Sequence, residues 1–72
     1  MTNPYETIAE RLAAIEEELR DLAYERLSVA ARAPDTDEAA AAAGEEKRIL
    51  QARRAIAKAI GTLESLNSSE LA

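Results

Sequence analysis

The sequence predicts an all-α fold: an antiparallel two-helix hairpin, coiled-coil-like, two copies of which dimerise into a four-helix bundle. Three observations predict it. Apolar residues recur alternately every three and four positions through both halves of the chain, the period of a helical stripe and not of a strand. A single short break, Pro34-Asp35-Thr36-Asp37, separates the halves. Apolar residues then match across that break as the facing rows of two antiparallel neighbours should.

The first helix is predicted over residues 4–33. Asn3 supplies an N-cap, and Pro4 occupies the first helical position, where a missing N–H costs nothing. Glu6 stands three residues after Asn3, the spacing of a capping box. Behind it run Tyr5, Ile8, Leu12, Ile15, Leu19, Leu22 and Val29, with Arg26 as the polar interruption. This is a heptad seam. Pro34 ends it, because the residue before a proline is pushed away from helical geometry.

A turn over 34–37 follows, and a second helix over 37–66. Asp35 and Glu38 have capping-box spacing and mark its start. Its seam reads Ala42, Glu45, Ile49, Ala52, Ile56, Ala59, Leu63 and Leu66. Residues 67–72 lack periodicity and are expected to fray. The whole chain, 1–72, is one hairpin on this reading.

The matching of the two rows is the strongest signal. Ile8 with Leu63, Leu12 with Ala59, Ile15 with Ile56, Leu19 with Ala52 and Leu22 with Ile49 each add to 71. Arg26 and Glu45 obey the same sum, so the odd charges are expected to pair. Small residues crowd both sides of the turn, which predicts close helix approach there.

One seam covers one face of each helix. Ala23, Tyr24 and Leu27 on the first helix, with Leu50, Ala57 and Ile60 on the second, fall outside it. Apolar positions flanking a seam suit a helix with two neighbours. They are the expected self-association face of a homodimer or larger homo-oligomer, or the seat of another protein partner. An acidic first helix and a basic stretch at Lys47, Arg48, Arg53, Arg54 and Lys58 favour pairing of unlike helices.

Composition narrows the function classes. The 72 residues carry a net charge of −5, which argues against nucleic-acid and anionic-membrane partners. There is no apolar run of membrane-spanning length and no signal-peptide pattern in Met1-Thr2-Asn3-Pro4-Tyr5, so a cytoplasmic location is expected. Cys and His are both absent. That removes disulfides, Cys/His zinc sites and His- or Cys-based nucleophilic catalysis. Gly44 and Gly61 stand alone, so no phosphate-cradling loop is present. The expectation is a protein without catalytic residues, cofactor or metal: a helical-hairpin interaction module that self-associates and binds a protein partner.

The tip offers a second reading. Asp35, Glu38 and Ala40 in Asp35-Thr36-Asp37-Glu38-Ala39-Ala40 resemble the acidic finger tip of Gre/DksA-type transcription factors. That resemblance covers the finger alone, without the zinc-binding cysteines of DksA. It implies an effector of the RNA polymerase secondary channel, with Asp35 and Glu38 acting at the polymerase's metal site or bridge region.

Overall fold

The computed structural model describes residues 3–71, with side chains described for 3–68. The described chain is all-helical. Helix α1 spans Pro4–Arg32 and α2 spans Asp37–Leu71, and the two pack along each other. The hairpin is a thin plank, 55 × 17 × 11 Å.

Each helix end follows from local chemistry. The Asn3 side chain accepts a hydrogen bond from the Tyr5 N–H at 2.8 Å, and the Asn3 carbonyl accepts from the Thr7 N–H at 3.1 Å. Pro4 sits where no intrahelical donor is needed. At the other end Ala33 has left helical geometry (φ −147°, ψ 75°), as the clash with the ring of a following proline favours. Helix α1 therefore stops at Arg32.

The cap of α2 is Thr36 and not Asp35. The Thr36 Oγ1 accepts from the Ala39 N–H at 3.1 Å and donates to the Ala33 carbonyl at 2.8 Å. The Thr36 N–H also donates to Ala33 at 3.2 Å. One threonine thus closes the turn and starts the helix. Replacing it with alanine is expected to cost about 1 kcal/mol, against a clearly smaller change for Asp35→Ala, measured by urea unfolding at one fixed protein concentration.

Helix α2 continues beyond the expected end at Leu66, through Asn67 and Ser68 to Leu71; Ala72 lies outside the described residues. No proline or glycine follows Gly61, and propagating an existing helix is cheap compared with nucleating one. A Cβ added at Gly44 or Gly61 would meet nothing within 4 Å. Close helix approach therefore does not explain either glycine.

The interior is slight. Among the described residues the buried ones are Ala9, Ala23, Ala39 and Ala42, and no large side chain is fully buried. Around them most of the half-buried positions form a regular ladder, flanked by half-buried Val29, Ala43 and Leu50. On α1 it reads Tyr5, Leu12, Glu16, Leu19, Arg26 and Ala30; on α2 it reads Glu46, Ile49, Arg53, Ile56, Ile60, Leu63 and Asn67. With the four alanines included, both ladders keep heptad spacing throughout.

Candidate functional site

These ladders place the seam one step away from the strictly apolar rows. Leu12, Leu19, Ile49, Ile56 and Leu63 belong to both descriptions. The alternate positions differ. Ala9, Glu16 and Ala23 face the neighbouring helix, whereas Ile8, Ile15 and Leu22, expected there, are 45%, 44% and 47% exposed. On α2 the inward positions are Glu46, Arg53, Ile60 and Asn67, and the residues just before them, Glu45, Ala52, Ala59 and Leu66, are exposed. The physical reason is size. Alanines at Ala9, Ala23, Ala39 and Ala42 let the backbones close up, and the bulkier neighbours are left at the flank.

The displacement has the same sense on both helices, and this decides the shape of the surface. Each exposed residue precedes an inward one by a single position, a rotation of about 100°. Because α2 runs against α1, equal rotations in the two helices turn toward the same side of the plank. Ile8, Ile15 and Leu22 therefore share one side with Ala52, Ala59 and Leu66. Leu12, Leu19, Ile49, Ile56 and Leu63, half-buried, form the floor between them. One broad side of the hairpin is apolar from its open end to Leu22 and Ile49.

The opposite side is mixed. Tyr24 and Leu27 are 74% and 54% exposed there, and Ala57 is also exposed. Leu50 and Ile60 are half-buried, and Ala23 is buried against α2, so Ala23 is not available to a partner. Tyr24 and Leu27 line a shallow groove with Arg20, Glu46 and Arg53. Toward the open end a second groove is lined by Glu6, Glu10 and Glu64 as well as Tyr5, Ala9 and Ile60. Carboxylates thus interrupt the apolar residues on this side.

Two ion pairs cross between the helices. Arg26 Nη1 lies 3.7 Å from Glu45 Oε2, while Arg26 Nη2 reaches Glu25 at 3.1 Å. The Arg26–Glu45 pair has the geometry that the constant sum implies. The second pair is more enclosed. Arg53 Nε donates to Glu16 Oε1 at 2.9 Å, with side chains only 23% and 19% exposed. Arg20 Nη2 approaches the other oxygen of Glu16 at 3.5 Å. The sequence reading sets Arg53 in a basic stretch opposite an acidic helix and does not single out Glu16 as its partner. The available signal was their position, one acid and one base next to facing apolar rows at matching depth.

Asp35 and Glu38 are exposed at the tip, and Asp35 is not used in capping α2. The described residues contain no group of His, Cys, Asp or Glu able to hold a metal ion, and no helix long and apolar enough to cross a membrane. No protein-family model matches the chain, and no curated protein or solved structure matches it.

Proposed function

We propose that this protein is a non-enzymatic helical-hairpin assembly module that self-associates through its apolar side and, once assembled, serves protein–protein interaction. The supporting observation is the exposure of Ile8, Ile15, Leu22 and Leu66, 44–47% each, on one side of a hairpin whose buried residues are alanines. Large apolar side chains left in water on a continuous strip mark an interaction site. A core this small seldom stabilises a short chain by more than about 3–5 kcal/mol without a staple or association. Cysteine is absent. A neighbouring helical pair supplies what the hairpin lacks.

The relevant side is the one bearing Ile15, not the one bearing Tyr24 and Leu27. Sedimentation equilibrium at micromolar concentration is expected to give twice the chain mass of 7.8 kDa. A single-chain mass across that range ends the reading.

A second reading rests on the tip. With Thr36 capping α2, the acid at position 35 has no structural task there, and Asp35 and Glu38 stand exposed, as a finger-tip effector of RNA polymerase requires. Capture of the polymerase that is indifferent to D35N/E38Q would remove it.

A further inference from the structure

The apolar side is not uniform along its length, and this bears on how a second copy sits on it. From the open end as far as Leu22 and Ile49 its layers are apolar. The next layer toward the tip is charged, Arg26 against Glu45 at 3.7 Å. Both side chains are open to solvent in the single hairpin, Glu45 the more so. Resting on the self-association proposed above, we infer that two hairpins pack face to face with their tips pointing the same way, α1 of each lying over α2 of the other.

Two arrangements keep all neighbouring helices antiparallel: tips together and tips opposed. With tips together, each layer meets the corresponding layer of the second copy. Apolar layers then cover apolar layers. Arg26 lies over Glu45 of the second copy and Glu45 over Arg26, so four charges alternate in sign around one layer. At the edge, the exposed Arg48 of one copy comes level with the interval between the exposed Glu18 and Glu25 of the other. Complementary charge fixes orientation in this way even when it adds little affinity.

With tips opposed and ends flush, α1 lies on α1. The charged layer then falls on the stretch between Ile8 and Leu12, which sets a charged pair against apolar side chains and takes both ions out of water with no opposite charge across the interface. Glu18 also meets Glu18 of the second copy near the centre of α1. Sliding the copies apart relieves both conflicts but uncovers the tips and shortens the contact. The full plank presents 55 × 17 Å, enough for the roughly 800 Å² per partner of a standard stable interface. A slid pair forfeits a substantial part of that.

The lack of cysteine allows a clean test. A nitroxide is attached at D35C, in the exposed turn, and the distance between labels in the self-associated protein is measured by pulsed dipolar spectroscopy. Circular dichroism and sedimentation confirm that the labelled protein is helical and associated. Tips together place the labels within about 30 Å of each other, since adjacent helix axes lie about 10 Å apart. A distance approaching the 55 Å length of the hairpin overturns the arrangement while leaving self-association intact. A single-chain mass with no dipolar signal, for both the labelled variant and the unsubstituted protein, overturns self-association itself.

Discussion

Ile15→Glu is expected to reduce the protein to the mass of one chain while leaving it helical. Ile15 lies midway along the apolar side and is 44% exposed in the single hairpin. A glutamate there can reach water in the monomer at little cost. In the proposed dimer it is covered, and the twofold relation buries it twice. Removing a carboxylate from water costs several kcal/mol, and 1.4 kcal/mol is a factor of ten in Kd. Association should therefore weaken at least about 100-fold, read by sedimentation equilibrium. Tyr24→Glu is the control. It places the same charge on the opposite side, at a residue 74% exposed, and is expected to leave the mass unchanged. The reverse result, with Tyr24→Glu dissociating the protein and Ile15→Glu not, would move the interface to the groove side.

How far the sequence discloses this structure can be judged from particular residues. Pro34 and the small polar residues beside it mark the turn, because proline constrains both its own backbone and that of Ala33. Antiparallel pairing follows from the turn's length and from the matched positions, of which Arg26 and Glu45 are the sharpest. Even so, the capping residue was misplaced. Asp35 and Thr36 are both capable N-caps, and only the geometry after Ala33 selects Thr36, which can bond Ala33 and Ala39 together.

The direction of the seam was less legible. An apolar row at spacings of three and four locates the middle of an apolar arc. It does not say which edge of that arc meets the first neighbour. Here the arc runs from Ala9 and Ala23 at one edge to Ile8, Ile15 and Leu22 at the other. Its width is that of a helix with two neighbours. Ranking residues by hydrophobicity favours isoleucine and leucine for the seam. Packing favours alanine, because a helix pair closes most tightly on small side chains. The row that reads as the seam thus runs between the positions packed on the other helix and the exposed flank on which we propose a second copy sits. Apolar residues such as Tyr24 and Leu27 that lie beyond the other edge fall among Arg20, Glu46 and Arg53, where the surface is mixed. Charged residues within the seam were the least legible, since Glu16 and Arg53 satisfy each other only once the rotation of both helices is known.

That enclosed pair carries the second large expectation. Replacing Glu16 with leucine leaves Arg53 without its 2.9 Å partner between half-buried Leu12, Leu19, Ile49 and Ile56. A loss of about 2 kcal/mol is expected, less than the 3–5 kcal/mol of a fully buried pair because some solvent reaches both groups. Arg53→Leu should cost less than Glu16→Leu, since Glu16 retains Arg20 at 3.5 Å. The double replacement, with neither charge stranded, is expected to regain the original stability or exceed it. Urea unfolding of all four proteins at one concentration supplies the cycle, and additive losses would show that the two side chains do not act together. The pair then has a role other than stability. It is a charged layer between apolar ones, and a one-heptad slip of α2 against α1 would set Glu16 against Ile60 in one direction or against another acid, Glu46, in the other. A polar layer of this kind holds register at the expense of stability. The double-leucine protein should consequently unfold at higher urea yet sediment as a mixture of assemblies, because of the two charged layers only Arg26–Glu45, near the tip, then remains to hold register.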